Sequence, residues 1–568
     1  MTRRAILLAA LAIGCGEVAT TTSGPADAAP DAEAGGDPGA AEPDDGAGDA
    51  EATGGCATDV LPGPGVVVTT RGAVAGAQAG ATWSYKGIPY AASPVGGLRW
   101  RPPQPAPCIA GTLDAVAYGP VCPQLDAKGS VIGAEDCLTL NVWAPASASP
   151  GAPVPVMVFL HGGGNIQGSS SETVASGKAL YDGRRLAELG RMVVTLNYRL
   201  GPLGFLALPE LSAESHLGVS PNYGILDQIA ALEWVRDNAA AFGGEPGNVM
   251  VFGESAGATD TCTLVASPLA KGLFHAALMQ SGGCTQPRLA TAESAMSARV
   301  SGGSCGSAAD RVACLRGLTA EQVVGALPGS VGVGNPSIGP DPAKYAPVVD
   351  GWVLAASPLD AIRAGTHNRV PFAIGTNGEE LAAMLVVKVA TEEEFQAVVK
   401  TSFAALGQSV IDQVLAAYPL ADYPSPQDAL VALYSDLRFN CPARTVARAA
   451  AGNAGEPVWR YFFTRRADTK QGTKPAQHGI ELLYVCGTAA DIPLFQMAPA
   501  DQALSGAIMG YWTRFGATGD PNGAGAVEWP AYDAAKDTCL RFDDPIAAVE
   551  GVRTSQCDMF DSIAAWAP

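Results

Sequence analysis

Val249-Met250-Val251-Phe252-Gly253-Glu254-Ser255-Ala256-Gly257-Ala258 joins an apolar run suited to a buried strand to a run of small, helix-compatible residues, and the junction reads Gly-x-Ser-x-Gly. Ser255 is a candidate nucleophile. A serine hydroxyl is a weak nucleophile at neutral pH, so the fold must expose its oxygen, set a base against it and aim donors at the developing oxyanion. Gly253 and Gly257 allow the strand to turn sharply into a helix whose N-terminus lies beneath the reacting centre.

Upstream of this junction, Val154 to Leu160 is a continuous β-rich run that ends in His161-Gly162-Gly163-Gly164. Consecutive glycines let backbone N–H groups point into a cavity without Cβ obstruction. Gly163 and Gly164 are therefore expected donors to an oxyanion, with Ala256 as the third. Met192–Leu196, Val370–Ile374 and Val458–Phe463 read as further strands. Val66–Thr70 and Thr82–Tyr85 read as an N-terminal meander. Ile225, Ile229, Leu232 and Val235 recur at helical spacing until Gly243-Gly244. Asp227 on that helix is expected to be a buried structural carboxylate, and Arg99 with Trp100 to pin a long connection.

Phe252-Gly253-Glu254-Ser255-Ala256-Gly257, preceded by Phe242-Gly243-Gly244-Glu245-Pro246, resembles the type-B carboxylesterase family, which includes lipases and cholinesterases. The resemblance covers nearly everything after Cys56. It extends through Gly87-Ile88-Pro89-Tyr90-Ala91, Glu135-Asp136-Cys137-Leu138-Thr139-Leu140-Asn141-Val142, Asn197-Tyr198-Arg199-Leu200-Gly201, Asn222-Tyr223-Gly224 with Asp227-Gln228, and Thr518-Gly519-Asp520-Pro521-Asn522. It implies an α/β-hydrolase fold, a mostly parallel central sheet flanked by helices, and hydrolysis of carboxylic esters without a cofactor. Asn165 departs from the family, where a hydrophobic residue is common, and implies a more polar pocket wall. Glu254, by the same resemblance, lines the pocket floor.

Five histidines are available as a base. His478, in Gln477-His478-Gly479-Ile480-Glu481-Leu482, matches the family's histidine loop. His161 sits in the glycine loop, and His216, His275 and His367 read as surface or packing residues. The orienting carboxylate of this fold falls between nucleophile and histidine. Glu380 in Gly375-Thr376-Asn377-Gly378-Glu379-Glu380 matches the family's acid, with Glu379 as the alternative register because Leu381 replaces the usual glycine.

The chain has 568 residues, 48% hydrophobic and 16% charged, enough for one large catalytic domain over residues 56–568. Arg3, Arg4 and the apolar run Ala5 to Ile13 read as an export signal over residues 1–15. Cys15 after Gly14 resembles a lipoprotein cleavage site, so a lipid anchor at Cys15 and ordinary secretion both stand. Residues 16–55 contain no Lys or Arg, hold ten of the acidic residues and so half of the net charge of −20, and are expected to form a disordered linker. This acidity argues against nucleic acid as a partner; a small-molecule ester is expected and no protein partner is implied.

Thirteen cysteines suggest disulfides in an oxidising compartment, and with no Cys-x-x-Cys pair and scattered histidines no metal site is expected. The resemblance implies Cys122–Cys137, Cys305–Cys314 and, as a weaker analogue, Cys441–Cys557. Position suggests Cys56–Cys108. Cys262, Cys284, Cys486 and Cys539 stay unassigned. Two other readings remain open: an amide, carbamate or larger natural-ester hydrolase, and a non-catalytic binding member of the fold.

Overall fold

The computed structural model describes residues 56–563 except 175–176, 333, 337–340, 342–343, 454 and 494. The expected signal with Cys15 and the acidic linker lie outside the described residues.

Eleven strands form one sheet: β1 (Ala77–Ala79), β2 (Thr82–Pro89), β3 (Thr139–Pro145), β4 (Val154–Leu160), β5 (Met192–Leu196), β6 (Gly244–Glu254), β7 (Ala276–Gln280), β8 (Phe372–Asn377), β9 (Val458–Phe463), β10 (Cys539–Phe542) and β11 (Ala547–Val549). Their spatial order is β11-β10-β9-β8-β7-β6-β4-β5-β3-β2-β1. From β5 across to β10 every neighbouring pair is parallel, and the antiparallel pairs occupy the two edges. Helices cover both faces, which is why the central strands read as unbroken apolar runs. Met157, Val158, Val194, Met250, Val251 and Leu278 are wholly buried. On one face, Tyr461, Trp512, Trp529 and Phe542 form an aromatic cluster with ring centroids 5.3–6.2 Å apart.

The helix after β5, α1 (Tyr223–Asn238), stops in a 3₁₀ turn over Ala239–Phe242, and Gly243 at φ 79° reverses the chain into β6. Asp227 is fully buried and receives Arg199 through Nε at 2.8 Å and Nη2 at 2.7 Å. Two parallel charge-assisted bonds offset much of the desolvation of this pair. Arg99 stacks over Trp100 at 5.6 Å, pairs with Glu135 at 2.6 Å and donates to the Leu318 carbonyl at 2.7 Å, so it pins the long connection as expected.

Five disulfides are formed. Cys122–Cys137, Cys305–Cys314, Cys441–Cys557 and Cys56–Cys108 pair as expected, and Cys262 pairs with Cys284. Cys486 and Cys539 are free and buried. Among the described residues no helix is long and apolar enough to cross a membrane.

Candidate active site

β6 ends at Glu254, and helix α2 (Ala256–Ala266) begins one residue later, leaving Ser255 alone to make the turn at φ 57° and ψ −120°. A non-glycine residue in that region is strained by about 1–3 kcal/mol, and the tight packing around it explains how the turn is kept. A Cβ on Gly253 would stand 2.4 Å from the Gly257 carbonyl oxygen, and one on Gly257 would stand 2.1 Å from the Leu160 carbonyl oxygen. Both glycines are thus required by close backbone approach. Ser255 N–H donates to the Gln280 carbonyl at 2.8 Å, tying the turn to the C-terminal end of β7.

The glycine loop crosses directly over this turn. A Cβ on Gly162 would lie 2.9 Å from Ser255 Cβ. Gly163 and Gly164 adopt φ of 105° and 65°, which glycine reaches without penalty. Among the described residues, no protein acceptor takes the N–H of Gly163 or Gly164. The loop brings two unengaged donors and the first N–H of α2, from Ala256, to the side of Ser255.

His478 approaches from the loop after β9, and its backbone N–H donates to the Glu380 carbonyl at 3.0 Å. Its ring Nδ1 lies 2.6 Å from Glu380 Oε2. The other carboxylate oxygen of Glu380 accepts from Ser281 Oγ at 2.5 Å and Asn377 N–H at 2.7 Å, and the residue is fully buried. Glu379 points elsewhere. It pairs with the exposed Arg466 and accepts from Ala476 N–H at 3.0 Å. Of these two adjacent residues it is Glu380 that meets the imidazole, so Glu380 and not Glu379 has the geometry of the orienting acid. Phe439, on a single π-helical turn over Asp436–Asn440, covers the ring at a centroid distance of 4.7 Å.

The other face of His478 carries a second carboxylate. Nε2 lies 3.2 Å from Glu254 Oε1, within ion-pair distance but without hydrogen-bond alignment. Glu481 is a third, receiving Asn377 Nδ2 at 2.5 Å and Gln280 Nε2 at 3.1 Å. Burial pushes Glu254 up to about 8, against the attraction of His478 and with added repulsion from Glu481 and Glu380. Burial likewise raises Glu481 to about 7. For His478 burial alone would lower the pKa, but the carboxylates of Glu254 and Glu380 outweigh it and bring it to about 9. Three buried acids thus converge on one imidazole, and their titrations are coupled to its own. Among the described residues Ser255 Oγ has no hydrogen-bond partner. Nucleophile–base contacts are often made only in the substrate complex.

Asn165 corrects an expectation. It is buried and turned inward at φ 58°, with Nδ2 donating to Asp260 Oδ1 at 3.0 Å and Oδ1 lying 3.2 Å from the Tyr198 hydroxyl. Its polar atoms are consumed inside the protein, so it does not make the pocket wall more polar. Glu254 is buried. Of the remaining histidines, His161 is buried and stacked on Tyr198, His275 Nδ1 accepts from Val249 N–H at 3.2 Å, His367 pairs with Glu456 and His216 is exposed. Sequence reasoning missed Ser281 and Glu481. Ser281 follows β7 directly at the level of the nucleophile turn, and Glu481 lies one helical step beyond His478; those positions were the available signals.

Residues 63–560 match the model of the carboxylesterase family. The chain is 36% identical to para-nitrobenzyl esterase of Bacillus subtilis (strain 168), over 85% of this chain and 95% of that one. It is 34% identical to fumonisin B1 esterase of Sphingopyxis macrogoltabida, over 86% and 88%. A solved PNB esterase structure superposes with a TM-score of 0.71 at 33% identity, covering 87% of this chain and 99% of that chain.

Proposed function

The chain belongs to the carboxylesterase family and is a carboxylic ester hydrolase, and from that premise we propose that Ser255, His478 and Glu380 perform the acyl transfer. Ser255 Oγ attacks the ester carbonyl as His478 Nε2 takes its proton, while Glu380 fixes the Nδ1–H tautomer and stabilises the imidazolium. The oxyanion receives the N–H groups of Gly163, Gly164 and Ala256. Collapse expels the alcohol with a proton from His478, leaving an acyl-enzyme that water cleaves by the same steps. The observation that carries this reading is the 2.6 Å contact between His478 and the buried Glu380, beyond the C-terminal ends of the parallel strands where Ser255 turns.

The rate depends on a neutral imidazole, so kcat/KM is expected to rise with pH. The carboxylates of Glu254 and Glu380 raise His478, which moves that rise above the ordinary imidazole value of about 6.5. Glu254→Gln removes the carboxylate that raises His478 most and is expected to move the acid limb to lower pH. Profiles of both proteins from pH 5 to 9 check this; a flat wild-type profile, or a limb that moves upward in the variant, contradicts it.

For substrate we propose neutral short- to medium-chain esters. The disulfide loop between Cys122 and Cys137 contains no Trp, Tyr or Phe that could face a quaternary ammonium. Asp126 turns its carboxylate onto its own loop, accepting from Lys128 N–H at 2.8 Å and Ser130 N–H at 2.9 Å. A cation–π site contributes about 0.5–2 kcal/mol, so without one butyrylcholine and its uncharged dimethylbutyl analogue should differ less than about tenfold in kcat/KM. A larger choline preference would reveal an aromatic cage built elsewhere. The same assay across acyl lengths and with amide and carbamate analogues tests the ester preference itself. We also propose export, with lipidation at Cys15, for which the five disulfides are the supporting feature; radiolabelled palmitate that fails to enter the wild-type protein would refute the anchor.

A further inference from the structure

The oxyanion donors come from two elements far apart in the chain, the glycine loop and helix α2, and they stabilise charge only if their relative position is fixed to about 0.5 Å. The loop closes one turn of its own, with Ile166 and Gln167 N–H donating to the Gly163 carbonyl at 3.2 Å, but Gly163, Gly164 and Asn165 all sit at positive φ and the rest of its position is set by its neighbours. Three side-chain clamps hold it. Tyr198 donates to the His161 carbonyl at 2.8 Å at its start. Gln124 holds Gly168 at its end, donating to the carbonyl at 2.9 Å and accepting its N–H at 2.7 Å. Neither clamp reaches α2. The third does: Asn165 Nδ2 donates to Oδ1 of Asp260, which stands on α2 one helical turn beyond Ala256. Asp260 Oδ2 in turn accepts from Gln228 Nε2 on α1 at 2.6 Å.

Asp260 is an expensive residue for this position. It is wholly buried and accepts from two side-chain amides, and among the described residues no cation is paired to it. An acid so enclosed costs several kcal/mol unless its lone pairs are met, and the proposed acyl transfer makes no use of its proton. Its side-chain link to the glycine loop is Asn165, the residue adjacent to Gly164.

We propose that Asp260 is a positioning residue for oxyanion stabilisation: by accepting the Asn165 amide it locks the loop bearing the Gly163 and Gly164 N–H groups against the helix bearing the Ala256 N–H. This rests on the reading of those three groups as the oxyanion donors. The bond has a sense, amide to carboxylate, and that sense can be reversed. Asn165→Asp sets two carboxylates face to face and pushes the loop from the helix. Adding Asp260→Asn restores every bond with donor and acceptor exchanged, since the new amide still offers its oxygen to Gln228 and the new carboxylate still faces the Tyr198 hydroxyl.

The test measures kcat and KM on p-nitrophenyl butyrate, inhibition by a trifluoromethyl ketone that forms a hemiketal on the serine, and Tm, for wild type, Asn165→Asp, Asp260→Ser and the Asn165→Asp/Asp260→Asn double variant. Losing one oxyanion donor outright costs about 10²–10³ in kcat, and displacing two partially is expected to cost about 30-fold. In both single variants kcat should fall with KM little changed, and ketone affinity should fall in step with kcat/KM; the double variant should recover to within about threefold of wild type. A folded Asn165→Asp or Asp260→Ser protein with wild-type kcat overturns the proposal, as does a double variant no better than Asn165→Asp. If Asn165→Asp does not fold, Asp260→Ser and the double variant still decide. Ser255→Ala separates the two levels: retained turnover there removes the acyl-enzyme reading itself, whereas lost turnover there with unaffected Asp260→Ser removes only the role of Asp260.

Discussion

Ser255→Ala is expected to lower kcat on p-nitrophenyl butyrate by about 10⁵-fold or more while leaving Tm close to that of the wild type. The size follows from the role: without the hydroxyl there is no acyl-enzyme, and only the binding and oxyanion contributions survive, which elsewhere leave a small residual rate. The unchanged stability follows from the turn. Serine and alanine both place a Cβ at φ 57°, so the strain is carried equally, and Ser255 Oγ has no hydrogen bond to lose. The Gln280 carbonyl still receives the backbone N–H at position 255, and the neighbouring glycines still allow the close approach of Leu160. Purified variant and wild type compared by steady-state assay and thermal melt give the answer. A variant with near-wild-type turnover would remove the proposed nucleophile, and one that fails to fold would show that the hydroxyl has a structural partner.

The strands that position this serine were legible because they are buried on both faces. Val154–Leu160, Met192–Leu196 and Val458–Phe463 are dominated by apolar, β-prone residues, and their observed limits coincide with the sequence reading. β8 was read from Val370 but begins at Phe372, since Pro371 has no N–H for the ladder, and it continues through Gly375-Thr376-Asn377 because those residues pair with β9. Polar residues in that strand hid its C-terminal end, which is where Glu380 is delivered. The nucleophile turn and the glycine loop announced themselves by backbone demands that glycine alone meets. Side-chain direction did not. Asn165 sits at positive φ in a loop, where no periodicity says which way its amide points, and it turned out to face Asp260 rather than the pocket. The same limit applies to Cys262 and Cys284, which join the middle of α2 to the segment after β7, a proximity created by the parallel pairing of β6 with β7. Charge coupling was equally out of reach, because Glu254, Glu380 and Glu481 come from three distant segments and meet only around His478.

Glu380→Gln is expected to lower kcat by about 10³–10⁴-fold, and Glu379→Gln by less than about threefold. The two residues are adjacent in sequence and differ in what they face. Glu380 Oε1 is already committed to Ser281 Oγ and Asn377 N–H, so a glutamine keeping its carbonyl oxygen there must turn its NH₂ toward His478 Nδ1. Two donors cannot share that contact unless the imidazole moves its proton to Nε2, and an Nε2–H ring cannot accept the proton of Ser255. The opposite rotamer restores the contact to Nδ1 but sets NH₂ against the Asn377 N–H at a fully buried position. Either way the tautomer or the loop is wrong, and the lost negative charge no longer stabilises the imidazolium. Glu379 offers no such constraint: its partner Arg466 is more than half exposed, and solvent replaces most of what that ion pair contributes. The comparison is made under saturating ester with KM recorded for each protein. If Glu379→Gln were the crippled variant and Glu380→Gln the mild one, the acid would have to reach His478 from a backbone register one residue removed from the observed one.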